Sequence, residues 1–232
     1  MSDLKVADAM IQLYHCMSAR SFRALWTLEE LGLPYELVML PFPPRQHARH
    51  FLALNPLGTI PLLVHGDTRM TESAAICQYL CSLKRPTSMQ VEPGAADYGS
   101  YLDMLHFGEA TLTFPQTLVL RYSRFEPAER RQPVVAEDYA KWFLARLRTL
   151  EARLAQEDYL SAGRFTAADV SVGYALMLAD YLGLASRFTA DVTAYWKRLQ
   201  ERTAFERALD AQKNAALAQG VSIAPAPLTV PD

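Results

Sequence analysis

Residues 53–76, ALNPLGTIPLLVHGDTRMTESAAI, decide the fold of this chain. They begin with Asn-Pro-Leu-Gly at residues 55–58, a sequence typical of a turn. The apolar run that follows, residues 59–64, contains Pro61. Because proline cannot donate a hydrogen bond to a neighbouring strand, the run is predicted to be a bent edge strand or a special turn. The bond between Ile60 and Pro61 is also one where a cis peptide costs little, about 0.5–1 kcal/mol.

The second half of this stretch combines a hairpin turn with the start of a helix. Gly66-Asp67 is the turn signal, and Glu72-Ser73 opens the helix. A helix start offers unpaired backbone N–H groups, to which this one adds a carboxylate and a hydroxyl. A bent edge strand nearby leaves backbone groups for an extended ligand. These groups together predict a binding site for a small peptide that carries an amine and a carboxylate.

The residues before this stretch alternate between strand and helix patterns. A strand–helix–strand order implies a parallel pair of strands. Gly32 and Pro34 mark the end of the first helix. The predicted elements are strands at residues 10–14, 35–40, 60–64 and 69–71 and helices at 20–31 and 72–83. This order, βαβ followed by ββα, predicts an α/β domain with a thioredoxin-like sheet over residues 10–84.

The composition changes after residue 84. Prolines and a glycine mark residues 85–94 as a linker. Beyond it, apolar residues recur at helical spacing and no strand pattern is found, so residues 95–218 are predicted to form an all-α helical-bundle domain. The proline-rich tail, residues 219–232, is predicted to be extended. The helical tracts are residues 95–122, with an interruption at Phe114-Pro115, 134–157, 166–183 and 191–218.

One helix start in this second domain carries a complete capping signature. In the sequence FTAADV, residues 165–170, Thr166 is placed to cap the helix and Asp169 to reach back to it. Phe165 can pack on Val170 as a hydrophobic staple. Such a cap contributes about 1 kcal/mol, enough to fix where the helix begins.

The composition limits the kinds of partner that the protein can have. A net charge of −2 at pH 7 argues against nucleic acid or an anionic membrane as the main partner. No apolar run approaches the roughly 18 residues of a membrane span, and the first residues lack the apolar core of a signal peptide. Three cysteines are too few for a disulfide scaffold, and Cys77 and Cys81 lack the further ligands that a metal site needs. We therefore expect a cytoplasmic protein without a metal.

The motifs NPLGTIPLL and TESAAI in the first domain, with FTAADVSVG and YWKRLQERTAF in the second, resemble those of cytosolic glutathione transferases of bacterial type. The resemblance covers residues 10–217 and leaves the class open among omega-, tau- and phi-like patterns. It implies that the backbone of Ile60, before a cis Pro61, pairs with the cysteinyl part of glutathione. It also implies that Glu72 and Ser73 hold the γ-glutamyl end, and that the protein is a homodimer with a detoxifying role.

Two residues of the segment YHCMSARSFR, residues 14–23, match the catalytic position of the family. Counting back from Arg23, Cys16 falls where omega-like classes keep a cysteine and tau-like classes a serine. Those classes usually continue with a proline, whereas this chain has Met17. Ser18 falls where phi-like classes keep their serine. The residues alone also allow two simpler roles, Cys16 as a small buried side chain and Ser18 as the N-cap of the next helix.

The two residues predict different chemistry. A serine hydroxyl donates a hydrogen bond to the glutathione thiolate, which then attacks a hydrophobic electrophile. A cysteine attacks a glutathione mixed disulfide, which gives thiol transfer and disulfide reductase activity. Lowering a thiol pKa of about 8.5 by two units takes roughly 2.7 kcal/mol, and one charge-assisted hydrogen bond supplies about 1.5–3 kcal/mol. A non-catalytic protein that binds glutathione or hydrophobic ligands is the third possibility.

Two further groups of residues are candidates for ligand binding. His47 lies near the place where phi-like classes use a His-Lys pair to hold the glycyl carboxylate. The second substrate is expected between the two domains, beside the helix that begins at residue 95. The candidates there are Tyr101, His106 and Phe114, which would form an apolar, partly aromatic pocket suited to hydrophobic electrophiles.

Overall fold

The computed structural model describes residues 9–229, and within that range it contains four strands and nine α-helices. In chain order these are β1 (Ile11–His15), α1 (Phe22–Leu31), β2 (Tyr35–Met39), α2 (Pro44–His47), β3 (Leu62–His65), β4 (Thr68–Met70), α3 (Ser73–Leu83), α4 (Tyr98–His106), α5 (Phe114–Leu120), α6 (Pro133–Leu154), α7 (Ala167–Tyr181), α8 (Ala190–Gln200) and α9 (Thr203–Ala218). None of the helices in this range is both long and apolar enough to cross a membrane.

The four strands form one mixed sheet in the order β2-β1-β3-β4. β1 runs parallel to β2 and antiparallel to β3, and β3 and β4 form the hairpin. The predicted thioredoxin-like arrangement is therefore confirmed. β3 begins at Leu62 rather than at residue 60, because Pro61 has no N–H group with which to continue the ladder.

The described chain divides into two compact units, of which the first contains the residues up to Thr87 together with Arg202–Thr229. The second unit contains Ser88–Glu201. In this division Arg202–Thr229 group with the first unit, whereas the sequence predicts a helical domain over residues 95–218. The tract predicted as one helix over residues 191–218 is two helices, because Arg202 has an extended backbone (φ −76°, ψ 127°).

Helix α9 belongs to the first unit because its aromatic and charged side chains are matched by those of α1. The Phe205 ring lies 4.9 Å from the Trp26 ring and 5.5 Å from the Phe22 ring, edge-on in both cases. Arg202 forms a bidentate ion pair with Glu30, with N–O distances of 2.6 and 2.8 Å. The amphipathic pattern of the tract predicts a buried face but does not say which unit buries it.

The tail after α9 is also part of the first unit. The Gln219 side chain bonds to the backbone of the edge strand β2: Met39 N–H donates to Oε1 at 2.8 Å, and Nε2 donates to the Leu37 carbonyl at 2.8 Å. The Ala226 N–H donates to the Met17 carbonyl at 2.7 Å. The segment predicted as an extended tail is thus bound to the sheet edge and to the turn after β1. Its last residues, 230–232, lie outside the described range.

The predicted capping box is present at the start of α7. Thr166 N–H donates to Asp169 Oδ2 at 2.8 Å, and Ala168 N–H donates to Thr166 Oγ1 at 3.3 Å. The carboxylate also accepts from Leu160 N–H at 3.0 Å and from the Tyr195 hydroxyl at 2.8 Å. Burial raises the pKa of Asp169, and these hydrogen bonds lower it in part. Three segments of the second unit are therefore hydrogen-bonded to the buried carboxylate of Asp169.

The helical tract predicted for residues 95–122 is less regular than its sequence pattern suggests. After α4, the chain passes through a π-helical segment, Phe107–Thr113, before α5, and a second one, Arg121–Phe125, follows α5. Pro115 is the second residue of α5, which continues directly from the first π-helical segment. The predicted interruption at Phe114-Pro115 therefore coincides with a change of helix type.

Candidate functional site

The register of the sheet brings three predicted site segments to one edge. Tyr14 of β1 pairs with Leu62 of β3, so the turn after β1 lies beside Ile60-Pro61, which precede β3. Leu63 pairs with Met70, and this pairing places the start of α3 at the same edge. The bond between Ile60 and Pro61 is cis. The turn after β1, the proline bend and the N-terminus of α3 are thus neighbours.

Two hydrogen bonds of the Asn55 side chain stabilise the Asn-Pro-Leu-Gly turn, which precedes Ile60. Asn55 Nδ2 donates to the Thr59 carbonyl at 2.7 Å, and its Oδ1 accepts from Leu57 N–H at 3.2 Å. Gly58 has a φ of 61°, and a Cβ added there would lie 2.8 Å from the Cβ of Arg45. Glycine is therefore required at this position on both conformational and steric grounds.

The start of α3 presents an exposed Glu72 side chain and a buried Ser73 side chain. Glu72 is the N-cap residue, and its carboxylate makes no capping hydrogen bond. Arg23 of α1 is completely buried and donates from Nη1 to Ser73 Oγ at 3.3 Å. Arg23 was not predicted as a site residue, because nothing in the local pattern of α1 marks it as a buried cation. Through its contact with Ser73, the Arg23 guanidinium places a positive charge close to the N-terminus of α3.

Cys16 lies in an apolar environment that opposes ionisation. It is 0% exposed and belongs to a cluster with Leu40, Phe51 and Leu62. Its Sγ lies 3.8 Å from the carbonyl oxygen of Pro41. Burial raises the pKa of the Cys16 thiol to about 12. Since the thiolate is the nucleophilic form, this environment is the opposite of the one that a reactive cysteine needs.

Ser18 occupies the turn between β1 and α1 in a left-handed conformation, with a φ of 53°. The turn is closed by a hydrogen bond of 3.1 Å from Ala19 N–H to the Cys16 carbonyl. The hypothesis that Ser18 caps α1 is wrong, because the helix begins at Phe22 and its N-cap residue is Ser21. Left-handed backbone at a non-glycine residue is uncommon and concentrates at functional sites.

The side chain of Gln212, on α9, holds this turn in place. Its Oε1 accepts from Ser18 N–H at 2.8 Å and lies 2.9 Å from His15 Nε2, and its Nε2 lies 3.3 Å from Ser18 Oγ. His15 is fully buried, and burial outweighs the Gln212 hydrogen bond, so its pKa is lowered to about 4. The ring is therefore neutral at physiological pH and donates from Nε2. His15, Ser18 and Gln212 form one buried polar group beside the candidate site.

Gln212 was not found by sequence reasoning, although one signal for it exists. The buried positions of α9 include Ala204, Ala208, Gln212 and Ala216, which recur every four residues. A glutamine in the middle of an alanine stripe is a polar residue at a core position. Such a residue needs buried partners, and here they come from a segment 194 residues earlier in the chain.

The other predicted binding residues differ in their accessibility. His47 is exposed on α2, next to Ala48, which packs in the same cluster as Cys16. In the second unit His106 is exposed and Phe114 is 51% exposed, but Tyr101 is only 1% exposed. The place of Tyr101 in the second-substrate pocket stays a prediction. Between residues 9 and 229, no group of three or more His, Cys, Asp or Glu side chains could hold a metal ion.

Comparisons with known proteins agree with this fold. The family model described as the N-terminal domain of glutathione S-transferase matches residues 17–83. Glutathione S-transferase 4 of Zea mays is 32% identical over 190 residues, which cover 78% of this chain and 83% of that protein. A glutathione transferase from Methylococcus capsulatus str. Bath has a similar structure, with a TM-score of 0.77 and 26% identity over 88% of this chain and 98% of that chain.

One further similar structure contains glutathione. A sphingomonad glutathione S-transferase, solved in complex with glutathione, has a TM-score of 0.76 and 24% identity over 87% of this chain and 98% of that chain. At this identity the likeness concerns the fold. The identity and coverage of the Zea mays relative carry the assignment: this chain belongs to the glutathione S-transferase family.

Proposed function

We propose that this protein is a glutathione transferase in which Ser18 stabilises the glutathione thiolate for attack on a hydrophobic electrophile. The observation that carries the proposal is the position of Ser18. It is held at the sheet edge where the cis-proline bend and the start of α3 also lie. Curated relatives named glutathione S-transferase support the reaction class. A hydroxyl that donates to the thiolate lowers the thiol pKa by favouring its charged form.

We propose one direction for glutathione along this edge. The backbone of Ile60 is free of the β3 ladder, which starts at Leu62, and it would pair with the cysteinyl residue of the tripeptide. The γ-glutamyl carboxylate would lie at the N-terminus of α3, on the Ser73 hydroxyl and near the Arg23 guanidinium. Exposed Glu72 would take the γ-glutamyl amine, and exposed His47 the glycyl carboxylate. This order leaves the cysteinyl sulfur beside the turn that contains Ser18.

Serine is preferred over cysteine as the activating residue on energetic grounds. A thiol whose pKa is about 12 is almost entirely protonated at neutral pH, so Cys16 would not attack a mixed disulfide. One charge-assisted hydrogen bond supplies about 1.5–3 kcal/mol. That range covers the roughly 2.7 kcal/mol needed to lower a thiol pKa by two units. No metal or general base is required for this step.

Access to Ser18 requires some movement, because its side chain is 1% exposed. The neighbouring Met17 carbonyl is bonded to the Ala226 N–H of the tail. We expect glutathione to displace groups that cover the turn when it binds. The tail is a candidate for this movement, since its backbone hydrogen bond to Met17 lies one residue from Ser18.

The remaining features are proposed from the family. A homodimer is proposed because the chain has the family fold, and Leu57, which is apolar and 66% exposed at the tip of a turn, is a candidate interface residue. A hydrophobic second substrate is proposed to contact exposed Phe114 and His106. The cytoplasm is the proposed location. Light scattering of the purified protein, with Leu57→Asp as the comparison, measures the proposed dimer.

A paired assay tests the proposed function. Conjugation of chlorodinitrobenzene and reduction of a glutathione mixed disulfide are measured on the wild type, Ser18→Ala and Cys16→Ser. We expect conjugation by the wild type, a loss of about ten- to a hundredfold in Ser18→Ala, and full activity in Cys16→Ser. Disulfide reduction that disappears in Cys16→Ser would instead support a cysteine enzyme. Binding of glutathione without either activity would mean that the protein is a carrier.

A further inference from the structure

The Gln212 side chain makes three contacts here, two with Ser18 and one with His15 at the end of β1, and both residues are buried. Gln212 itself is 2% exposed. It reaches the turn from α9, whereas the rest of the candidate site is built from residues 15–76. Its contacts are to a backbone N–H group, a hydroxyl and a ring nitrogen, and none of these contributes to the apolar core. The residue therefore holds a specific geometry of the turn and not merely the docking of α9.

The orientation of the Gln212 amide is fixed by its partners. The backbone N–H of Ser18 can only donate, so the atom 2.8 Å from it must be the carbonyl oxygen, Oε1. The amide nitrogen, Nε2, then faces Ser18 Oγ at 3.3 Å. Because an amide nitrogen only donates, Ser18 Oγ is the acceptor in this contact. The hydroxyl proton of Ser18 is consequently not on the side of α9.

His15 reinforces this arrangement. Its Nε2 lies 2.9 Å from Gln212 Oε1, which is already fixed as an acceptor, so the ring carries its proton on Nε2. The amide oxygen thus accepts two hydrogen bonds and cannot rotate away without leaving two buried donors unpaired. Unpaired buried donors are costly, so the whole group has one favoured arrangement.

We propose that Gln212 is a positioning residue for Ser18: its amide fixes the turn and keeps the serine proton away from α9, so that the hydroxyl donates to the glutathione sulfur. The proposal rests on the proposed function, in which Ser18 contacts that sulfur. A glutamate at this position would accept from Ser18 N–H and His15 in the same way. It could not donate to Ser18 Oγ, and its carboxylate would accept the serine proton instead.

The test is a spectroscopic titration of the glutathione thiol bound to the full-length protein, with the thiolate followed by its ultraviolet absorbance. In Gln212→Glu we expect the pKa of the bound thiol to rise by about 1–2, since the charge-assisted hydrogen bond from Ser18 is diverted. At neutral pH, kcat/KM should fall about ten- to a hundredfold, with the dissociation constant of glutathione changed less than about threefold. In the Ser18→Ala background, the uncharged substitution Gln212→Met should have no further effect on the thiol pKa.

Two more variants separate positioning from folding. Gln212→Met removes both hydrogen-bonding groups with little change in volume, so it should raise the thiol pKa as well. It replaces Gln212→Glu in the titration if that variant does not fold. The matched control is Gln219→Glu, because the Gln219 side chain also joins the C-terminal segment to the sheet, through hydrogen bonds to β2 rather than to the Ser18 turn. This control should lower stability and leave the thiol pKa unchanged.

The outcomes separate this proposal from the proposed function. If Ser18→Ala leaves the pKa of the bound thiol unchanged, the function proposed for Ser18 is wrong. If Ser18→Ala raises it and both Gln212 variants leave it at the wild-type value, only the role of Gln212 is wrong. A loss of glutathione binding in the Gln212 variants that equals the loss of kcat/KM would show that Gln212 is purely structural.

Discussion

Arg23 Nη1 donates to Ser73 Oγ across 3.3 Å, and this contact joins α1 to the first residue of α3. Both side chains are buried. A guanidinium only donates, so the serine oxygen accepts in this contact and its proton is directed elsewhere. The contact links the helix that follows the Ser18 turn to the helix start proposed for the γ-glutamyl end of glutathione.

The link predicts that Arg23 affects glutathione binding through Ser73. Arg23→Met should raise the KM for glutathione several-fold, because the hydroxyl loses the donor that orients it and the site loses a positive charge. A double-mutant cycle with Ser73→Ala, measured as glutathione affinity, should give a coupling of about 1 kcal/mol. Fully additive effects of the two substitutions would show that the contact plays no part in binding.

The left-handed backbone of Ser18 predicts that two inactive variants at this position differ in stability. Ser18→Gly and Ser18→Ala both remove the hydroxyl and should be equally inactive. The glycine variant should be more stable than the alanine variant by about 1–2 kcal/mol, since alanine carries the steric cost of positive φ. Urea unfolding measures the difference. The control is Ala162, the other non-glycine residue with positive φ (56°) in the described range. Ala162→Gly should stabilise the protein at unchanged activity.

Burial of His15 predicts a loss of stability in mild acid. The pKa of His15 is lowered to about 4 in the folded protein, against 6.5 for the free side chain. Below pH 6.5 the unfolded chain therefore takes up a proton that the folded protein refuses, and the free energy of unfolding falls as the pH drops toward 4. The contribution of His15 should lower the free energy of unfolding by about 2–3 kcal/mol at pH 4.5.

The His15→Gln variant isolates that effect. Its side-chain amide can donate to Gln212 Oε1 without titrating in this range. Urea unfolding at pH 7 and pH 4.5 should show a smaller loss in the variant than in the wild type. Equal losses in both proteins would mean that His15 is not the group responsible.

The buried carboxylate of Asp169 predicts a large effect of a small change in the second unit. Each of its oxygens accepts from groups that can only donate or are held as donors, among them Thr166 N–H and Leu160 N–H. Asp169→Asn places an NH2 group against such donors and should reduce the free energy of unfolding by about 2–4 kcal/mol. Asp180→Asn, at an exposed position of the same helix, is the control and should change it by less than about 0.5 kcal/mol.

Much of the fold was predictable because its signals are local. Pro61 interrupts an apolar run, Gly32 ends α1 with a φ of 60°, and Thr166 with Asp169 starts α7. Each of these residues acts on its own segment, so a few neighbouring letters suffice to predict the outcome. The order of the resulting elements then leaves few possible sheet topologies.

The parts that sequence reasoning missed depend on contacts between distant segments. Helix α9 has an amphipathic pattern, but that pattern does not show that its apolar face packs on the first unit, as Phe205 does on Trp26. Gln212 and Arg23 owe their roles to partners 194 and 50 residues away. The N-cap role expected for Ser18 failed because its φ of 53° belongs to a turn that ends before the helix begins.

Titration of the bound thiol measures directly whether the hydroxyl of Ser18 stabilises the thiolate of glutathione. The pKa of the bound thiol is titrated by the absorbance of the thiolate in the wild type and in Ser18→Ala, both saturated with glutathione. We expect a thiol pKa about two below the ordinary value of about 8.5 in the wild type, and a pKa close to 8.5 in the variant. A thiol pKa that is equally low in both proteins would contradict this role of Ser18.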